Sequence, residues 1–176
     1  MIALFAPGAR RGAARTAGLV LAIATVILPA LPLGPIVAQP PMPLGVLWAA
    51  YGWAADDDGT WRRPALLFTL GLLHDQMAGG PYGLFAALYL LTFLLGRSFA
   101  AIMSAPTLAS IWGGFIATTA ATTLAAMFLA PIAFGKGASA MQFAQAAAVT
   151  ALFFPLVRSL YMNTGPTQRA LQGARR

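Results

Sequence analysis

Gly71-Leu72-Leu73-His74-Asp75-Gln76-Met77-Ala78-Gly79-Gly80-Pro81-Tyr82-Gly83 sets the only histidine and one of only four carboxylates of this 176-residue chain between two long apolar runs. An ionised aspartate near a helix centre in lipid costs about 2.5–3.5 kcal/mol, and less toward the ends, so a carboxylate here needs a reason. The runs around it decide the fold class. Thr16 to Ala55 contains no charged residue, and Ser98 to Val157 contains only Lys136. Each is long enough for two passes at ~20 residues per span.

Composition agrees. Apolar residues are 59% of the chain, charged residues 9%, and the mean hydropathy is +0.75. Soluble domains run at roughly 45–50% apolar and 25% charged. The expected fold is an all-α integral membrane protein with residues 1–15 as a basic N-terminus, 16–162 as one membrane domain and 163–176 as a basic tail. Polar segments of about a dozen residues leave no room for soluble catalytic machinery. The absence of cysteine excludes disulfides and thiolate metal sites.

Proline and glycine punctuate six helices. The first is expected from Thr16 to about Leu33, its outer end loosened by Pro29, Pro32 and Pro35. It could pass for a secretory signal, but further spans follow it, which favours an uncleaved helix. The second, Leu44 to Ala55, follows Pro43 and is short, so it begins in the outer zone of the membrane or is shielded by other helices. Its Trp48, Tyr51 and Trp53 suit an interfacial belt or a pocket lining. Asp56-Asp57-Asp58-Gly59 reads as a solvated turn rather than a metal loop, because no Glu or His stands at chelating spacing. The third helix follows Pro64, from Ala65 to Ala78, and the fourth runs from Tyr82 to Met103. The fifth runs from Thr107 to Ala130, with Pro131 ending it. The sixth, Ser139 to Met162, is expected to kink at Pro155.

With six spans both termini share a face, and the arginines choose it. Ten arginines (Arg10, Arg11, Arg15, Arg62, Arg63, Arg97, Arg158, Arg169, Arg175, Arg176) then oppose one Lys136. The positive-inside rule puts both termini in the cytoplasm. It also explains the net charge of +7 without nucleic acid.

Three readings of Asp75 stand open. Its carboxylate can accept hydrogen bonds from backbone N–H groups at the start of the fourth helix, favoured by the helix dipole, and so latch the outer hairpin. It can contact a partner or ligand, or couple to a proton or ion. A catalytic His74–Asp75 dyad is excluded, since adjacent helical residues point ~100° apart. Gly79 and Gly80 permit positive φ at the helix end, Pro81 stops the third helix and starts the next, and Gly83 is expected to let the two backbones close together. A second candidate is the row Ala109, Gly113, Ala117, Ala121 and Ala125. Small residues every four positions let membrane helices approach, within the molecule or against a partner's helix. Shorter rows are Ala140, Ala144 and Ala148, and Ala14, Gly18 and Ala22. The hydroxyls of Thr118, Thr119, Thr122 and Thr123 are expected to bond back to helix carbonyls.

Gly71-Leu72-Leu73-x-Asp75-x-x-x-Gly79-Gly80-Pro81-x-Gly83, with the apolar helix ending in Gly96-Arg97, resembles the signature of the bacterial rod shape-determining MreD family. The specific match covers about 25 residues. The resemblance implies a non-enzymatic inner-membrane scaffold of the cell-elongation machinery, with no cofactor. Its implied partner is an MreC-type single-span protein. Through that partner it would connect MreB filaments to the peptidoglycan polymerase and transpeptidase pair. The family's six-helix arrangement is also similar to the substrate-binding subunits of energy-coupling-factor vitamin transporters, which supplies the alternative reading.

Overall fold

The computed structural model describes residues 7–28, 44–55, 59–79, 82–103, 107–134 and 140–162. Six helices account for almost all of them: α1 Pro7–Ile27, α2 Gly45–Ala55, α3 Arg62–Ala78, α4 Leu84–Ile102, α5 Leu108–Phe134 and α6 Ala140–Tyr161. Among the described residues, three stretches are long and apolar enough to cross a membrane: Leu84–Ile102, Leu108–Leu129 and Met141–Tyr161. The apolar part of α1, Thr16–Ile27, is shorter. Outward positions on the long helices are apolar, Phe128 being 75% and Leu156 73% exposed, as a hydrocarbon solvent requires.

α2 is the hub. α1, α3, α4, α5 and α6 pack neighbour to neighbour around it in a closed circuit. All of α2 from Gly45 to Gly52 is buried, with Ala54, leaving only Trp53 and Ala55 half-buried. A helix apolar on every side belongs in such a centre. Its 11 residues rise only ~16 Å, about half the hydrocarbon thickness, so its ends need partners inside the protein. At the start, the Leu44 N–H donates to the Thr150 hydroxyl of α6 at 2.8 Å. At the finish, the Arg63 guanidinium of α3 donates to the Trp53 carbonyl at 3.0 Å.

The helices alternate in direction. Tyr161, at the finish of α6, donates to the Gly18 carbonyl near the start of α1 at 2.8 Å. Gly96, late in α4, lies against Tyr51 and Ala54, late in α2. Thr25, late in α1, lies against Gly45, the first residue of α2. One end of the bundle therefore collects the starts of α1, α3 and α5, and every arginine among the described residues lies toward it.

Several boundaries differ from expectation. α1 is already helical at Pro7, ahead of Thr16, because the Ala- and Arg-containing stretch before Thr16 favours helix. Beyond Leu28 its proline-rich end lies outside the described residues. α3 begins at Arg62, with Pro64 in the first turn, where its missing N–H has no helical partner anyway. Pro131 does not end α5, which continues to Phe134. So near the terminus, the missing N–H removes only the bond to the Met127 carbonyl.

Pro155 lies inside α6 and strips the Ala151 carbonyl of its helical donor. The Trp112 indole of α5 takes that carbonyl at 2.9 Å, and the Trp48 indole of α2 takes the neighbouring Thr150 carbonyl at 2.7 Å. Trp48 and Tyr51 are thus core residues, each 3% exposed, and not an interfacial belt. The Tyr51 hydroxyl donates to the Ile111 carbonyl at 3.1 Å. Its ring meets Phe115 and Phe154 edge-on, and those two stack with centroids 4.0 Å apart. The space around the middle of α2 is filled with aromatic side chains.

Candidate functional site: the α3–α4 hairpin

The hairpin is held from both sides of Asp75. Gly79, in the left-handed conformation (φ 66°), caps α3 by donating its N–H to the Asp75 carbonyl. Gly83, also left-handed (φ 104°), stands at the N-cap of α4 with no side chain to cap it. The Asp75 carboxylate performs that role from the preceding helix. One oxygen accepts the Gly83 N–H at 2.8 Å, and the other accepts the Phe85 N–H at 2.8 Å. Asp75 itself is 0% exposed. Two orphan donors and the positive end of the α4 dipole offset its desolvation. Gly80 and Pro81 lie outside the described residues.

His74 grips the next turn of α4. Its Nδ1 hydrogen-bonds the Tyr89 hydroxyl, and its ring stacks on Phe85 with centroids 3.9 Å apart and planes 10° apart. His74 and Asp75 point to different groups, as their spacing demands. They nevertheless act on one segment, since Asp75 holds the Phe85 backbone and His74 its ring.

Gly71, not Gly83, is the glycine of close approach. A Cβ at position 71 would overlap the backbone of Ala86, whereas one at Gly83 would meet nothing within 4 Å. Gly83 serves its backbone conformation; Gly71 lets α3 and α4 touch.

The small-residue row on α5 faces the other way from the packing expected of it. Ala109, Gly113, Ala117 and Ala121 are exposed and Ala125 is half-buried, while a Cβ at Gly113 would meet nothing within 4 Å. The buried face of α5 carries Ile111, Phe115, Thr118, Thr119, Thr122, Thr123 and Ala126. Its close-contact glycine is Gly114, where a Cβ would lie 2.5 Å from the Tyr51 hydroxyl and 2.9 Å from Met103. Aromatic shape and hydroxyl pairing choose the inner face, and the small row is left outside. On α1 the row does face inward, with Gly18 against Tyr161 and Ala22 0% exposed.

Thr122 and Thr123 bond back to the Thr118 and Thr119 carbonyls at 3.0 and 2.7 Å. Thr118 and Thr119 do not follow the pattern, for their own hydroxyls are buried without a partner. Thr92 of α4 donates to the Leu88 carbonyl and meets the Thr122 hydroxyl across the helix interface at 2.9 Å. A small recess, open on one side, adjoins this pair between the starts of α2, α4 and α6 and the second half of α5. Tyr89, Thr122 and Thr123 supply its hydroxyls, and all three already have partners.

Among the described residues no three metal-ligating side chains come together. Asp56, Asp57 and Asp58 lie outside them. Sequence reasoning missed Thr150, Thr92 and the two indole donors. Only one signal was available for these: Pro155 announces an unpaired carbonyl four residues earlier, and a tryptophan on a neighbouring helix is a natural donor to it.

The class these features define is a helical bundle with membrane-compatible helices, closed around a buried short helix and clamped at one hairpin by an internal aspartate. Comparison with known proteins finds no family model, no curated protein and no solved structure that matches the chain.

Proposed function

We propose that the protein is a six-span inner-membrane scaffold of the bacterial cell-elongation machinery, with both termini cytoplasmic and no catalytic role of its own. It binds an MreC-type single-span protein and through it supports peptidoglycan synthesis beside MreB filaments. The observation that carries this reading is the Asp75 clamp. The residues that resemble the MreD signature are the ones that build the hairpin, with Asp75 on two α4 amides, Gly71 against Ala86, and Gly79 and Gly83 in left-handed turns. A motif that shapes a rigid hairpin suits a docking part better than a reaction centre. The exposed row Ala109, Gly113, Ala117 and Ala121 supplies an outward face fit for a partner's helix. Co-purification with an MreC-type protein from the native cell, and rounding of rods when the gene is lost, are the expected results. Rods that persist with no such partner recovered would refute the reading.

The recess among α2, α4, α5 and α6 is the feature that speaks for the alternative, a small-molecule-binding subunit of an energy-coupling-factor transporter. It has room for no more than about one water molecule, far below the ~300–1,000 Å³ usual for ligand pockets. Its hydroxyls are committed, and aromatic rings occupy the space around α2. A vitamin-like molecule retained through purification would revive this alternative.

A further inference from the structure

We propose that the outward side of α3 is a docking seam for α3 of a second copy of this chain, joined at the level of Gln76 by a pair of side-chain amides. The inference rests on the six-span topology proposed above, through α3 crossing the membrane, and not on the scaffold role. The 17 residues of α3 rise only ~26 Å, less than the ~30 Å of hydrocarbon, and the first two are Arg62 and Arg63. Gln76 is exposed, and lies ~21 Å along the helix from Arg62. With Arg62 at the inner headgroups, the Gln76 amide is ~9 Å short of the outer ones. A glutamine side chain does not reach that far. Ala65, Thr69, Leu72 and Gln76 fall within an arc of ~60°. Ala65, Thr69 and Gln76 are exposed and Leu72 is half-buried, while Leu67, on the opposite side of the helix, is 0% exposed. Steps of four, three and four residues are those of the seam in a two-stranded coiled coil. The apolar side chains of Leu66, Phe68, Leu73 and Met77 flank it.

A primary amide both donates and accepts hydrogen bonds, and hydrocarbon answers neither need. Another amide answers both. Two copies in one membrane share an orientation, so a two-fold axis along the membrane normal sets each residue of the seam opposite itself at equal depth. Gln76 then meets Gln76, each donating an N–H to the other's carbonyl. Further in, Ala65 and Thr69 are small enough for two backbones to approach closely. The Thr69 hydroxyl already donates to the Ala65 carbonyl at 2.9 Å, so it brings no unspent donor into the seam. Arg62 meets its copy in the headgroup zone, where salt screens the repulsion. The outward line of α6 also carries an exposed amide, Gln145, but Leu152 and Leu156 on that line are 67% and 73% exposed and stand between α6 and any close neighbour.

The chain has no cysteine, so each single variant carries one thiol. In native membranes, Ala65→Cys, Leu72→Cys and Gln76→Cys should oxidise readily to disulfide-linked dimers, and Phe68→Cys and Met77→Cys, to either side of the seam, slowly. In lipid bilayers, Gln76→Leu should weaken the dimer by roughly three- to tenfold, read from subunit counting by photobleaching over a range of protein densities. Gln76→Asn, which keeps the amide, should retain most of the strength. Fastest linkage in Ala117→Cys or Gln145→Cys would place the second copy on α5 or α6 and overturn the proposal. Even linkage all round α3, or a dimer indifferent to Gln76→Leu, would overturn it too. A thiol-to-amine linker that joins Gln76→Cys to a different protein instead would give the seam to another partner and refute self-pairing. Trp61→Cys and Tyr82→Cys should react from opposite faces of sealed vesicles. Reaction from one face would sink the six-span topology and the seam together, whereas opposite faces with a monomeric protein would refute the seam alone.

Discussion

Asp75 is a fully buried carboxylate whose two oxygens each accept a backbone N–H at 2.8 Å. Removing it strands the buried Phe85 N–H and the half-buried Gly83 N–H, at about 1–3 kcal/mol each and less for the second. Asp75→Ala should therefore lower stability by about 2–5 kcal/mol, seen as a large fall in the melting temperature of the purified protein. Asp75→Asn keeps one acceptor oxygen and should lose roughly half as much. Little loss in either variant would mean that the amides find other partners. At Gly71 the constraint is steric, and Gly71→Ala should destabilise by about 1–3 kcal/mol through overlap with Ala86. Gly113→Leu, by contrast, should leave the isolated protein as stable as before, because a side chain there meets open space. If partner docking uses this face, the same variant should weaken co-purification with the partner while the melting temperature stays constant.

At the scale of elements, Thr150 ties the start of α2 to α6 twice over. Its hydroxyl takes the Leu44 amide and donates to the Ala146 carbonyl at 2.6 Å, while its own carbonyl takes the Trp48 indole. Thr150→Val preserves shape and removes the cap. Stability should fall by about 1–2 kcal/mol, with faster amide exchange confined to the first turn of α2. Unchanged exchange at Leu44 would show that the cap contributes nothing. The helices themselves were largely legible in the sequence, because prolines and long apolar runs mark them, and α2 was rightly expected to be short. The hairpin residues were legible too, since His, Asp and paired glycines are conspicuous in an apolar chain. The faces were not. Ala109, Gly113, Ala117 and Ala121 invite packing by size alone, yet Phe115, Thr118 and Thr122 on the neighbouring stripe hold the interior. An apolar helix offers no polar side to mark which stripe turns inward, so the choice falls to shape and hydroxyl partners on other helices.

For the whole molecule, the central aromatic group matters most. Tyr51, Phe115 and Phe154 fill the space between α2, α5 and α6, so Tyr51→Ala should cost about 3–5 kcal/mol by leaving a cavity beside the hub. Retention of the native melting temperature would mean that the ring of helices collapses around the loss. The proposed six spans, with both ends on one side, predict that cysteines placed singly near each terminus react from the same face of sealed vesicles. Reaction from opposite faces would reduce the count to an odd number.

The cap on α2 also sets a schedule for synthesis. Leu44 finds its hydroxyl partner 106 residues further along the chain. At ~5–20 residues per second that partner is made roughly 5–20 s later. Throughout this interval α2 is too short to span the bilayer and has an unmet amide at its start. Its place at the centre is completed only once α6 supplies Thr150.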